Sequence, residues 1–106
     1  MHSLSLNYGQ GSGQQIVTCH SKGDENGGLW TIKEKEGGEI CQTGAPMKCG
    51  DSIRLEHMET SKNLHSHNVR SPLSQKNEVS AFGDDGEGDD GDDFKLECLS
   101  STTGLI

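Results

Sequence analysis

Apolar and polar residues alternate in short runs along this chain, with glycine- and asparagine-rich breaks between them. Period-two alternation over four to eight residues predicts half-buried strands. The runs are Gln15–Cys19, Leu29–Lys33, Ser52–His57, Glu78–Phe82 and Phe94–Cys98, all rich in β-formers. Turn signals separate them at 9–13, 24–28, 37–38 and 49–51. No window carries apolar residues at helical spacing behind a convincing cap, so the pattern predicts an all-β chain.

A second regularity lies over the first. Met1-His2-Ser3-Leu4 lines up with Leu64-His65-Ser66-His67, and at the same offset Gln15-Ile16-Val17-Thr18 lines up with Glu78-Val79-Ser80-Ala81. After a slip of one residue, Trp30-Thr31-Ile32 meets Phe94-Lys95-Leu96. Self-similarity over such a period marks a duplicated supersecondary unit. The second copy offers strands at 46–49, 52–57, 62–67 and 78–82, with 93–98 closing it. Four strands per unit fit a trefoil lobe better than a propeller blade, which is shorter and needs more copies.

Composition narrows the picture. At 106 residues and 28% hydrophobic, with Tyr8, Trp30, Phe82 and Phe94 its only aromatics, the chain can bury only a small core. Its net charge of −8 is uneven, because seven of its seventeen acids fall between Asp84 and Asp93. An acidic surface repels phosphate backbones, so nucleic acid is not an expected partner. No stretch approaches the roughly 18 apolar residues that a membrane helix requires, and direct membrane insertion is not expected. Met1 is followed by no apolar signal region.

The side chains that often carry chemistry mostly have plainer readings. Cys19, Cys41, Cys49 and Cys98 form no CxxC pair and match no zinc spacing. They are either free thiols or supply one disulfide, for which Cys41 and Cys98 are favoured because they flank the second unit. His65 and His67 project from one face of a strand about 7 Å apart, a spacing at which two imidazoles can share a metal with His57 or His20. A hydrogen-bonded turn explains them better, and no metal is expected. The acidic run lacks the ligand order of an EF-hand and reads as a solvated hairpin, with Asp92 and Asp93 leading into a strand. No nucleophile elbow, phosphate cradle or acid–base carboxylate couple is present, so neither a catalytic residue nor a cofactor is expected.

The same repeat residues carry a family likeness. Pro46-Met47-Lys48-Cys49-Gly50-Asp51-Ser52-Ile53-Arg54-Leu55, Asn63-Leu64-His65-Ser66-His67, Ser71-Pro72-Leu73-Ser74, Glu78-Val79-Ser80-Ala81-Phe82-Gly83, Gly86-Glu87-Gly88-Asp89 and Asp92-Asp93-Phe94 resemble the MIR domain. Within that group the pattern, including Tyr8-Gly9-Gln10-Gly11-Ser12-Gly13-Gln14-Gln15, is similar to the stromal cell-derived factor 2 family. The resemblance implies an incomplete β-trefoil, roughly one and a half of three repeats. It divides the chain into a partial first repeat (1–40), a second repeat (41–99) and an unmatched tail (100–106). Leu4 stands where the family has a second histidine, and Phe94 where it has a tryptophan. The secretory and retention signals of the family are not in this sequence, as expected of a partial chain.

What the resemblance implies for function is a non-enzymatic binding module in the endoplasmic-reticulum lumen. Its expected partners are a lumenal Hsp70, a J-domain co-chaperone and unfolded polypeptide, with glycan as a further ligand class. The alternatives are the accessory lumenal domain of a membrane protein O-mannosyltransferase and a ligand-sensing piece of a calcium-release channel. Trefoils bind through shallow pockets between lobes, for which the candidates here are Tyr8, Asn7, Gln14, Gln15, Arg54, His65, His67, Arg70 and Glu78.

Overall fold

Seven strands form one antiparallel sheet in the computed structural model, which describes residues 1–19, 26–35, 37–71, 74–83 and 87–99. They are β1 (His2–Asn7), β2 (Gln15–Thr18), β3 (Trp30–Glu34), β4 (Ser52–His57), β5 (Asn63–Arg70), β6 (Asn77–Phe82) and β7 (Phe94–Lys95). The order across the sheet is β1-β2-β6-β5-β4-β3, with β7 pairing β4 off that path. Short 3-10 turns at Asn26–Gly28 and Asp90–Asp92 precede β3 and β7. The all-β reading holds, and none of the helices is long and apolar enough to cross a membrane among the described residues.

Three elements depart from the pattern. β1 is a full strand that alternation alone did not predict; only its likeness to the segment at Leu64 pointed there. The strand expected over 46–49 is reduced to a single bridge at Met47. Gly44 and Gly50 hold φ of 85° and 89° on either side, a left-handed conformation that turns the chain away from a ladder. The last strand stops at Lys95, although Leu96 still exchanges backbone hydrogen bonds with Gly50 and Asp51 (2.7 and 2.8 Å).

Those two bonds also decide the disulfide. Cys98 pairs with Cys49, their Cα atoms 5.6 Å apart, and not with Cys41 as expected. Pairing of Leu96 with the 50–51 turn delivers Cys98 to Cys49. Cys41 remains exposed and free, as does Cys19.

The two hairpins, β1–β2 and β5–β6, repeat each other in register. Ser3 opposes Val17 and Asn7 opposes Gln15; Ser66 opposes Val79 and Arg70 opposes Asn77. Both first strands carry an irregularity between those pairs. The geometry corrects the sequence alignment by one place, because Gln15 occupies the position of Asn77 rather than of Glu78. Each hairpin also receives a 3-10 turn glycine against its histidine. A Cβ on Gly27 would collide with the His2 ring, and one on Gly91 with the His65 ring.

The interior is unusual for its polarity. Among the described residues, Leu64 and Ala81 are the buried hydrophobic ones, whereas His2, Ser3, Gln15, Arg54, His57, Asn63, His65, Glu78, Ser80 and Asp92 are buried polar ones. On β6 the alternation is inverted: Glu78 and Ser80 point inward while Val79 between them is exposed. Buried polar groups are costly unless hydrogen-bonded, so the networks that satisfy them hold this sheet together.

Candidate functional site

Two hydrogen-bond chains organise the interior. In the first, the His57 ring, fully buried, meets Gly27 O at 3.0 Å through Nε2 and Thr60 Oγ1 at 2.8 Å through Nδ1. A carbonyl only accepts, so Nε2 donates to it and the Thr60 hydroxyl donates to Nδ1. Thr60 is then free to accept from Gln15 Nε2 (3.0 Å), which also donates to Ser3 Oγ (2.9 Å), and Ser3 donates on to Ile16 O (2.6 Å). Every hydrogen is used without an extra proton. Trp30 covers His57 with ring centroids 4.8 Å apart.

The second chain joins four ionisable groups. Asp92, fully buried, places Oδ1 2.8 Å from His65 Nδ1, and its Oδ2 accepts from Asp89 N at 2.7 Å. His65 Nε2 lies 3.1 Å from His67 Nδ1, and His67 Nε2 lies 3.1 Å from Glu78 Oε1. Glu78 finally accepts a short hydrogen bond from Ser12 Oγ and a longer one from Ser12 N (3.4 Å). Burial alone pushes the Glu78 carboxyl up, but hydrogen bonds from Ser12 and His67 outweigh it and hold the group below the usual carboxylate range. The two imidazoles meet edge to face at 4.8 Å, and Phe82 packs on His65 at 4.9 Å.

A polar cleft of about 440 Å³ opens beside these chains, between the hairpins. Asn7, Gln14 and Gln15 line it from the first hairpin, and Lys62, Phe82 and Glu87 from the second unit. Gln14 is fixed there by Ser80 Oγ at 2.6 Å. The partly exposed Phe82 ring offers a flat apolar wall among amides and charges.

Most of the sequence candidates come together here, but two do not. His65, His67 and Glu78 form the second chain; Gln14 and Gln15 face the cleft. The Tyr8 hydroxyl bridges Val79 O (3.0 Å) and Val17 O (3.3 Å), tying the hairpins beside it. Arg54 is buried elsewhere, its Nε donating to Glu34 O at 2.7 Å, and serves the β3–β4 pair. Arg70 spans its own hairpin turn to Gln75 O.

The histidine spacing did not reveal that the two rings turn toward each other. Asp92 is not the solvated lead-in that the acidic run suggested; it is an inward anchor. His57 belongs to the other chain, and His20 lies outside the described residues. His65, Asp89 and Asp92 bring ligand atoms within 4.8 Å of one another, but His65 Nδ1 and both Asp92 oxygens are already spent on hydrogen bonds. Ser12 and Thr60 were missed altogether. A hydroxyl in a glycine-rich turn gives no signal of a partner 66 residues away.

The MIR domain model matches residues 1–105. The chain belongs to the MIR domain family. It is 49% identical over 98 residues to human stromal cell-derived factor 2, covering 92% of this chain and 46% of that protein. The stromal cell-derived factor 2-like protein of Dictyostelium discoideum is 49% identical over 103 residues, covering 94% and 48%. This MIR chain therefore spans about half the length of the curated relatives it matches.

Among solved structures, the SDF2-like protein from Arabidopsis thaliana superposes with a TM-score of 0.87 at 44% identity, covering 95% of this chain and 55% of that one. The S. cerevisiae protein O-mannosyltransferase Pmt1-Pmt2 complex bound to the sugar donor gives 0.78 at 33% identity, covering 91% and 13%. The architecture is that of an incomplete MIR β-trefoil. MIR membership is thus shown for this chain, and the curated relatives it resembles carry the name stromal cell-derived factor 2.

Proposed function

We propose that this MIR chain is a non-enzymatic binding module of the endoplasmic-reticulum lumen that assists folding quality control. In this reading it works with a lumenal Hsp70 and its J-domain co-chaperone on unfolded polypeptide. The observation that carries it is the 49% identity to stromal cell-derived factor 2 over 92% of the chain. The interior supports the non-enzymatic part, because the buried histidines and carboxylates with reactive potential bond to one another and to serine and threonine hydroxyls. The division into a first repeat (1–40) and a second (41–99) belongs to the same proposal.

The test is binding of the purified chain to a lumenal Hsp70–J-domain pair and to an unfolded polypeptide, read by fluorescence anisotropy. Saturable binding that requires the J-domain partner supports the proposal; its absence with the folded chain overturns it. A second reading, the accessory domain of a protein O-mannosyltransferase, is favoured by the 33% identity to the yeast complex. It predicts glycan binding at the cleft instead, seen as shifts of the Gln14 and Phe82 signals when mannose is added.

A further inference from the structure

The second hydrogen-bond chain does not balance in the way the first does. Three gaps separate Asp92, His65, His67 and Glu78, at 2.8, 3.1 and 3.1 Å. Each gap needs one hydrogen between two heavy atoms. Two neutral imidazoles bring two N–H groups, and two carboxylates bring none. Filled from the Asp92 end, those two hydrogens leave a bare His67 Nε2 facing the Glu78 carboxylate. Filled from the Glu78 end, they leave Asp92 facing a bare His65 Nδ1. Splitting them between the ends leaves two bare nitrogens in contact at the centre. Only a third proton fills every gap.

We propose that this chain of four groups holds one shared excess proton, and that the proton clamps the β1–β2 loop of the first hairpin onto the second. Glu78 sits at the junction, because it accepts from His67 on one side and from Ser12 of that loop on the other. Gly11 of the same loop lies so close to Glu78 Oε2 that a Cβ there would collide with it.

Among the described residues, the charged groups that face the rings favour retention. Asp92 and Asp89 approach His65 from the 3-10 turn and the loop before it (2.8 and 3.5 Å), and Glu78 approaches His67 from β6. The uncharged neighbours among the described residues are Phe82 from β6 and Ser12 from the loop. Arg70, on β5 itself, directs its guanidinium to Gln75 O. Among the described residues no lysine or arginine pairs with Glu78 or Asp92. His67, with 19% of its side chain exposed, is the route by which the proton reaches solvent, because Asp92 and Glu78 have none exposed. When base removes the proton, the His67–Glu78 contact becomes a lone pair against a carboxylate. The carboxylate then moves out and takes the Ser12 loop with it.

Ring-nitrogen NMR of the full chain tests this directly. With the proton in place, three of the four ring nitrogens of His65 and His67 carry hydrogen. As pH is raised, loss of the third must coincide with faster amide exchange at Gly11 and Ser12, by about tenfold or more. In Glu78→Gln a carboxamide donates to His67 Nε2, so two ring hydrogens suffice and loop exchange shows no such step. Two bare nitrogens in the wild type at neutral pH, or a proton loss that leaves loop exchange unchanged, would overturn the proposal. The wild-type measurement decides even if the variant does not fold.

Discussion

The two hairpins share register, bulge position and a glycine-capped histidine, yet they are wired differently. The first closes a neutral chain through amide and hydroxyl groups that ends on His57; the second runs through two carboxylates and two imidazoles. One position accounts for much of the contrast. Leu4 occupies the place of His67 and is exposed, so the first hairpin has no second ring to carry a chain outward. The comparison teaches that a repeated backbone fixes where polar side chains meet, while single substitutions decide whether the meeting is charged.

The largest break in that comparison is the Cys49–Cys98 bond, which closes 49 residues of the second unit and has no counterpart in the first. Cys98→Ser is expected to cost about 2–4 kcal/mol of stability in urea unfolding, whereas Cys41→Ser leaves the midpoint unchanged. The glycine contacts come next. Gly91→Ala and Gly27→Ala each force a histidine ring aside and should cost about 1–3 kcal/mol, similar to each other if the hairpins are equivalent at that point. Unequal losses would show that one turn yields more easily than the other.

His67→Leu copies the first hairpin into the second and removes the imidazole from a buried carboxylate. A loss of about 1–3 kcal/mol is expected, against a change within about 0.5 kcal/mol for Leu4→His at its exposed site. Acid should give a smaller and graded effect. Because the Glu78 carboxyl is held below its ordinary value of 4.5 in the folded state, its contribution is present above that value. It is lost as pH falls through the lower folded value. Urea midpoints measured down that range should fall, and Glu78→Gln should flatten the decline. Glu34, lowered mainly by backbone hydrogen bonds, adds a part that the Gln variant leaves in place.

Much of the architecture was legible because its cause is local. Gly- and Asn-rich breaks between β-formers announced strands at Ser52–His57 and Glu78–Phe82, and the histidine triplet announced the repeat. The site was half legible. His65, His67, Glu78, Gln14 and Gln15 were among the binding candidates, but their partners Ser12, Thr60 and Asp92 were not. Those partners come from turns, where sequence carries backbone signals and no record of distant contacts. Alternation did not say which face is buried: on β6 Glu78 and Ser80 are buried and Val79 is exposed. Period two fixes which residues share a face, but not which face the rest of the molecule covers.

The sequence by itself determined the strand content, the repeat and the family, because these depend on backbone preferences and on motifs read along the chain. Folding in three dimensions decided that Cys98 takes Cys49 rather than Cys41, that the hairpins match one place away from the sequence alignment, and that two histidines join two carboxylates. Each of those outcomes depends on which residues the folded sheet brings within a few ångströms. Hydrogen bonds and disulfides form at that range, and separation along the chain does not measure it.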